Sequence, residues 1–111
     1  HAEASSEKVA LGWFLDGRVS AVCGTHTHIP SIDTRILPKG TAYVTDLGMT
    51  GSSEGVLGVK RDIIIDRFVN KGLQPFEWVK SGRAVFNSVL VEINEKTGKA
   101  LSIERVDDVV E

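Results

Sequence analysis

The sequence contains one cysteine, Cys23, and no apolar run long enough to cross a membrane. A lone cysteine cannot form an intramolecular disulfide, which excludes a disulfide-stapled secreted domain and fits a reducing compartment. Basic residues are not in excess, because 13 lysines and arginines stand against 15 acidic residues. No nucleic-acid polymer is therefore expected as a partner, since such a surface needs a basic excess. We expect a cytoplasmic protein that does not bind a membrane.

The composition that is present is typical of a folded protein. Apolar residues make up 41% of the chain and charged residues 25%, which is ordinary for a domain with a core. A chain of 111 residues is long enough for one domain or for part of one. The first residue is His1 rather than methionine, and the opening segment HAEA has the character of mid-chain sequence. We therefore expect this chain to be a fragment of a longer protein.

Hydrophobic periodicity predicts two helices. In residues 6–16 apolar side chains recur at intervals of three and four, and Gly17 can end the helix. Residues 61–70 show the same spacing, with four apolar side chains on one side: Ile64, Ile65, Phe68 and Val69.

Short runs rich in β-branched and aromatic residues predict the strands. These runs span residues 18–23, 41–45, 76–79, 84–93 and 100–106. Residues 95–98 contain a glycine and are predicted to turn the chain between the last two runs, which form a hairpin. The intervening residues 24–40 and 46–58 are predicted to be long loops, and loops of this length are usually functional. The resulting order α-β-β-α-β-β-β predicts a mixed α/β sandwich.

Several bulky or sulfur-containing side chains are predicted to lie in the core. Cys23 belongs to an apolar run, so we expect it to behave as a small buried hydrophobic residue. The same expectation holds for four aromatic residues: Trp13, Phe14, Phe68 and Trp78.

All three histidines lie in the first 28 residues, and two of them belong to the block GTHTH at residues 24–28. This block directly follows a predicted strand. In an extended segment, residues two apart point to the same side, so His26 and His28 can direct their imidazoles at one place. Open α/β folds bind ligands at such strand ends. The alternative is a pair of solvated loop histidines, and the position of His1 carries no weight by itself.

Three neutral imidazoles suit zinc, iron, manganese, nickel and copper to different degrees. They can fill a mononuclear site with an open water position, or form part of a binuclear site that carboxylates bridge. A mononuclear zinc or iron hydrolase also needs a general base, and the sequence offers no convincing one. A non-catalytic module that associates with other chains is the remaining alternative.

Three segments together resemble a known family. HAEASSEK at residues 1–8, DGRVSAVCGTHTH at residues 16–28 and ILPKGTAYVTDLGMTG at residues 36–51 resemble the YmdB-type branch of the calcineurin-like metallophosphoesterases. The likeness covers nearly the whole chain. The combination of GTHTH with LPKGTAY is specific, whereas Gly-x-His-x-His alone indicates only the superfamily. The resemblance implies that residues 1–111 are the C-terminal part of a single mixed α/β metallophosphoesterase domain whose N-terminal half is absent.

The resemblance also implies a role for each histidine. His1 is similar to the family's isolated metal-binding histidine, and His26 is similar to the ligand that shares the second metal with it. His28 is similar to a ligand of the first metal. The family's other ligands (an Asp, a bridging Glu and an Asn) and a His that protonates the leaving group precede the position of His1. No catalytic residue is therefore expected in this chain, and the chain alone is expected to be inactive.

The resembled family hydrolyses phosphodiesters, including cyclic nucleotides, with a hydroxide that bridges two metals. The implied cofactors are two divalent ions, with iron or manganese first and zinc or magnesium as further options. Supporting or substrate-contacting roles are expected for Thr27, Asp46, Thr50 and Gly51, with a plain turn at residues 46–51 as the alternative. The expected partners are a small phosphodiester, the N-terminal half and further copies of the chain.

Overall fold

The computed structural model describes all 111 residues, and they form two compact units. The first unit comprises His1–Gly48 and Asn87–Asp107, and the second comprises Met49–Phe86 and Asp108–Glu111. The chain contains two helices and eight strands, which confirms the predicted mixed α/β class. None of its helices combines the length and the apolar character that crossing a membrane requires.

The first unit contains one helix and five strands. In chain order these are α1 (Ser5–Leu15), β1 (Ala21–Cys23), β2 (Arg35–Ile36), β3 (Ala42–Val44), β6 (Val89–Ile93) and β7 (Ala100–Arg105). The second unit contains one helix and three strands. These are β4 (Thr50–Ser52), α2 (Arg61–Asn70), β5 (Ala84–Phe86) and β8 (Asp108–Val110).

Strand β3 is the centre of the first unit. The sheet order is β1-β3-β2, with β1 parallel and β2 antiparallel to β3. All three residues of β3 are fully buried, and the apolar Val44 ends the strand. The hairpin β6–β7 also belongs to this unit, and β7 contacts both β2 and β3. Burial on both faces explains why β3 consists of apolar and aromatic residues.

Helix α1 approaches β3 closely at Gly12. A Cβ atom at this position would lie 2.6 Å from Cδ2 of Tyr43, so the helix can pack here because its residue has no side chain. Glycine normally costs about 1 kcal/mol in a helix interior, and the close contact with the buried tyrosine ring accounts for its presence.

The connection from α1 to β1 is held by two buried polar side chains. The carboxylate of Asp16, at the end of α1, accepts hydrogen bonds from the backbone N–H groups of Lys39 (2.9 Å) and Thr41 (3.3 Å). The hydroxyl of Thr41 accepts a hydrogen bond from the N–H of Gly17 (2.9 Å) and donates one to the carbonyl of Val19 (2.7 Å). These bonds satisfy backbone groups of the segments that follow α1 and precede β3, and they hold the end of the helix against that strand.

The second unit is a small antiparallel sheet with α2. Its strand order is β4-β5-β8, and both pairings are antiparallel. Val59 and Ile63 are its buried apolar residues, at 6% exposure each. Val59 also forms an isolated bridge with Trp78.

Both predicted helices are confirmed, α2 with the same bounds and α1 displaced by one residue. The hairpin at β6 and β7 is confirmed as well. The strand prediction for residues 18–23 is correct only for Ala21–Cys23, and the predicted strand at 76–79 is reduced to the single bridge at Trp78. The two predicted loops contain the strands β2 and β4, whose two or three residues are too few to show a periodicity.

The predicted single strand at residues 84–93 is wrong. It divides into β5 and β6, which pair with different strands in different units. Strand β8 was not predicted, although it completes the sheet by pairing with β5. Alternation of apolar residues indicates an extended chain, but it does not indicate which strand will be the partner.

The predicted core is wrong at several positions. Cys23 is exposed. The four aromatic residues that were expected in the core are 51–86% exposed: Trp13, Phe14, Phe68 and Trp78. On α2 only Ile63 is buried, and of the predicted apolar side Ile64 is half-buried while Ile65, Phe68 and Val69 are exposed. The buried residues of the first unit instead lie in or around β3, among them Leu37, Thr41 and Asp46, and no periodicity marks them.

Candidate metal centre

The segment 24–34, which joins β1 to β2 and is called the histidine loop below, begins at a tight contact. The N–H of Gly24 donates to the carbonyl of Val44 (2.9 Å), and the carbonyl of Gly24 accepts from the N–H of Leu47 (2.8 Å). A Cβ atom at position 24 would lie 1.7 Å from the carbonyl oxygen of Thr45. Glycine is therefore required at the first residue of the GTHTH block, because any side chain would displace the end of β3.

Two of the three histidines are in contact. Nδ1 of His26 lies 3.3 Å from Nε2 of His1, and the two ring centroids are 5.0 Å apart in an edge-on arrangement. The other ring nitrogen of His1, Nδ1, lies 2.8 Å from the hydroxyl oxygen of Thr25. Thr25 therefore orients the His1 ring and leaves Nε2 directed at His26.

The backbone of the histidine loop is not extended. His26 has φ +114° and His28 has φ +69°, so the premise of an extended segment that aims both side chains at one place is wrong. A positive φ is uncommon for residues other than glycine and costs about 1–3 kcal/mol at such sites. Histidine is exposed at both positions. The loop therefore holds a strained conformation at the two residues of the motif.

His28 lies in the same loop, two residues after His26. The chain contains no group of three or more His, Cys, Asp or Glu side chains arranged to hold a metal ion. The three histidines therefore do not form one cluster, and only His1 and His26 are in contact.

A buried carboxylate lies beneath the histidine loop. Oδ2 of Asp46 accepts a hydrogen bond from the backbone N–H of Thr27 (2.8 Å), the residue between the two loop histidines. Oδ1 accepts one from the N–H of Gly48 (2.8 Å). Nζ of Lys8, on α1, lies 3.3 Å from Oδ2. Oδ2 thus connects α1 with the histidine loop, and Oδ1 is bonded within its own segment.

The electrostatics of Asp46 are set by these partners. Burial alone would raise the pKa of the carboxyl group, but hydrogen bonds from Gly48, Thr27 and Lys8 outweigh it and lower the pKa from its ordinary value. Asp46 is therefore ionised at neutral pH. The side chains of Lys8 and Asp46 are only 4% and 3% exposed, so the two charges are shielded from water and depend on each other.

A second acid fixes the far end of the histidine loop. The carboxylate of Asp33 accepts hydrogen bonds from the hydroxyl of Ser31 (2.7 Å) and from the N–H of Thr45 (3.1 Å). Burial would raise its pKa, but hydrogen bonds from Thr45 and Ser31 outweigh burial and lower it. The N–H of Ser31 in turn donates to the carbonyl of Asp46 (3.0 Å).

Arg105, near the C-terminal end of β7, caps the carbonyls of the same region. Its guanidinium donates to the carbonyl oxygens of Ser31 (3.2 Å), Asp46 (3.3 Å) and Leu47 (2.6 Å). The carboxylate of Asp107 accepts two further bonds and holds the guanidinium in place. The sequence reasoning missed Arg105, Lys8 and Asp33, because no spacing relates them to the histidines.

The remaining predicted supporting residues are located as follows. The hydroxyl of Thr27 donates to the carbonyl of Ile29 (3.0 Å), which closes a local turn in the histidine loop. Thr50 and Gly51 lie in β4 of the second unit, where they are ladder partners of Phe86 and Val85. The segment predicted to be a free loop is thus part of a strand at these two residues.

The donor set of His1 and His26 fits a metal ion. Two nitrogens that bind one tetrahedral ion at about 2.0–2.1 Å each lie about 3.3–3.4 Å apart. Nε2 of His1 and Nδ1 of His26 lie 3.3 Å apart, within hydrogen-bonding distance of each other, and this distance also equals the spacing of two nitrogens on one ion. A ligating imidazole usually has its second ring nitrogen hydrogen-bonded to an oxygen, and the hydroxyl oxygen of Thr25 lies at that position beside Nδ1 of His1.

The chain is similar to one group of proteins along nearly all of its length. The family described as YmdB-like protein matches residues 1–106. The chain belongs to this family. The resemblance inferred from the three sequence segments is therefore confirmed, because the YmdB-like match includes all three of them.

The chain is also similar to named proteins and to solved structures. The chain is 54% identical over 106 residues to a Bacillus subtilis (strain 168) protein named 2',3'-cyclic-nucleotide 2'-phosphodiesterase, and the match covers 96% of this chain and 40% of that protein. It also matches the crystal structure of a hypothetical protein from Thermus thermophilus, with 41% identity and a TM-score of 0.89 over 100% of this chain and 43% of that one.

A crystal structure described as a novel phosphatase from Mycoplasma pneumoniae matches equally well. It has 41% identity and a TM-score of 0.90 over 98% of this chain and 39% of that chain. The chain thus spans about two fifths of the length of the relatives that it matches.

Proposed function

We propose that this chain is the C-terminal part of a metal-dependent phosphodiesterase and supplies three histidine ligands to its two-metal centre. The observation that carries the proposal is the 3.3 Å approach of Nε2 of His1 to Nδ1 of His26, which is the spacing of two nitrogens on one ion. His1 and His26 share one metal in this proposal, and His28 binds the other. Iron and manganese are the first candidates, and zinc and magnesium are the alternatives.

In this proposal the residues of the chain bind the metal ions and orient the histidine ligands. The hydroxyl of Thr25 holds the His1 ring with Nε2 turned toward His26, where the pair would hold an ion, and the carboxylate of Asp46 holds the backbone between His26 and His28. Neutral imidazoles leave more positive charge on bound metals than carboxylates do, which favours an anionic phosphodiester. When bound, two metals supply a nucleophilic hydroxide and neutralise charge on the phosphoryl oxygens.

The proposed substrates are 2',3'-cyclic nucleotides or other small phosphodiesters. The support is the name of the Bacillus subtilis relative, with 54% identity over 106 residues. The carboxylate ligands would come from an N-terminal part of the same domain, because the chain spans about two fifths of its relatives and holds no metal-ready cluster of three or more ligands. We place the enzyme in the cytoplasm as a homo-oligomer, and the exposed aromatic residues of the chain support association.

The test compares ligand variants of the full-length protein. Wild type should contain about two metal ions per chain and hydrolyse bis(p-nitrophenyl) phosphate and a 2',3'-cyclic nucleotide. His26→Ala should lower kcat more than about 100-fold and reduce the metal content, since loss of even an outer-shell partner costs about 10- to 100-fold in metal affinity or activity.

Lys96→Ala is the matched control, because this residue lies exposed in the turn between β6 and β7. It should leave metal content and kcat unchanged. Retention of full activity and full metal content by His26→Ala would refute the ligand assignment.

A further inference from the structure

A lysine is buried in the middle of the first unit. Lys8 is the fourth residue of α1, and its side chain is only 4% exposed. Its ammonium lies 3.3 Å from the carboxylate of Asp46, whose side chain is 3% exposed. A lysine is rarely buried without a partner, and a buried pair contributes little net stability compared with apolar residues of similar size. Stability alone is therefore a weak reason for this pair.

The pair connects the two segments that carry the contacting histidines. Lys8 belongs to α1, which begins four residues after His1. Asp46 accepts the N–H of Thr27, in the middle of the histidine loop. A positive φ at both His26 and His28 must be maintained by the surroundings, and this hydrogen bond restrains the peptide that lies between them.

We propose that Lys8 and Asp46 are positioning residues, which hold the histidine loop against α1 so that His1 and His26 keep the separation required for a shared metal ion. The proposal rests on the proposed function, because it assigns a task to residues that touch neither metal nor substrate. The ammonium fixes one carboxylate oxygen, and that same oxygen receives the N–H of Thr27. A change in the position of Lys8 would therefore move Oδ2 of Asp46, and with it the hydrogen bond to Thr27.

If the pair had a purely structural role, the metal affinity would recover together with the melting temperature in a variant that lacks both charges. The Lys8→Met variant leaves the buried Asp46 carboxylate without its charged partner. The Asp46→Asn variant leaves the buried Lys8 ammonium without its charged partner. Each single variant should therefore melt at a lower temperature than wild type. The double variant Lys8→Met/Asp46→Asn contains no unpaired buried charge and should recover much of the melting temperature. The amide that replaces the Asp46 carboxylate has only one oxygen for the two N–H groups of Thr27 and Gly48. The histidine loop therefore remains less restrained than in wild type.

The experiment measures metal affinity and stability separately in the full-length protein. Apo protein is titrated with Mn²⁺ or Co²⁺ alone by calorimetry, at a temperature at which circular dichroism shows each variant folded. The double variant should bind the metal about 10- to 100-fold more weakly than wild type, as outer-shell changes do, although its melting temperature recovers. Asp46→Glu, which keeps the charge but moves it by one methylene, should also weaken binding while it retains a cooperative melt.

Lys60→Met is the matched control, since it breaks the exposed Lys60–Glu77 ion pair in the second unit. It should change neither the metal affinity nor the melting temperature appreciably. Wild-type metal affinity in both the double variant and Asp46→Glu would overturn the positioning role and leave the ligand assignment intact. Failure of the wild type to bind metal, or unchanged binding by His26→Ala, would overturn the proposed function and this inference with it.

Discussion

Replacing Gly24 by alanine tests how closely the histidine loop is tied to β3. The new Cβ atom would lie 1.7 Å from the carbonyl oxygen of Thr45, 2.8 Å from its carbonyl carbon and 2.9 Å from Cδ of Lys8. Ordinary contacts begin at 3.4 Å, and two of the three atoms belong to the backbone. The segments must therefore separate, by roughly 1.5 Å or more, because the backbone cannot rotate away as a side chain can.

The expected loss of stability follows from the bonds at this contact. Separation breaks or weakens the two hydrogen bonds that Gly24 makes, to the carbonyl of Val44 (2.9 Å) and from the N–H of Leu47 (2.8 Å). Each such bond contributes about 0.5–1.5 kcal/mol. Overpacking costs a further 1–3 kcal/mol or so. Gly24→Ala should therefore lower the free energy of unfolding by about 2–6 kcal/mol.

Urea unfolding of the full-length protein, followed by circular dichroism, measures this difference. Gly98→Ala is the control, because its Cβ would meet only Oγ of Ser20 at 3.8 Å, while its φ of +74° still strains an alanine. The control should lose about 1–2 kcal/mol from backbone strain alone. A Gly24→Ala protein that is as stable as wild type, to within about 0.5 kcal/mol, would refute the reasoning about the strand end.

Two further predictions concern charge and exposure. The pKa values of Asp33 and Asp46 are lowered in the folded chain, so their contribution to stability is present above the ordinary carboxyl pKa of about 4 and is lost as the pH falls through the folded values. Urea unfolding measured from pH 7 to pH 2 should show the free energy of unfolding falling below about pH 4. The Asp33→Asn variant should show a shallower dependence of this free energy on pH. The same slope in wild type and in the variant would contradict the prediction. Phe68 is 86% exposed, so Phe68→Ser should change the melting temperature little and reduce self-association in sedimentation, whereas a large loss of stability would show that the ring packs in a core.

The helices could be predicted because their determinants are local. Apolar side chains at intervals of three and four mark both helices, and the predicted bounds of α2 are those observed. The hairpin is equally local, since its turn lies within the few residues between β6 and β7. The division of residues 84–93 between two sheets was not predictable, because it depends on β4, β8 and β7, which lie elsewhere in the chain.

The core was poorly predicted because hydrophobicity alone does not assign burial. Trp13 and Phe68 are apolar and yet 51% and 86% exposed, whereas Lys8 and Asp46 are charged and buried. On α1 a lysine would ordinarily point to solvent, and no periodicity distinguishes Lys8 from Glu7, the other charged residue of the helix. Its burial depends on a carboxylate 38 residues later in the chain.

The sequence by itself determined the class of the fold, the two helices and the family, since these depend on local periodicity and on short motifs that include all three histidines. Only the tertiary structure decided which histidines meet. His1 and His26 are 25 residues apart and come into contact because β1 pairs with β3 and α1 packs on the same strand. The ion pair of Lys8 with Asp46 arises in the same way, because a contact between distant residues is set by the packing of the elements that carry them and leaves no mark in the spacing of the chain.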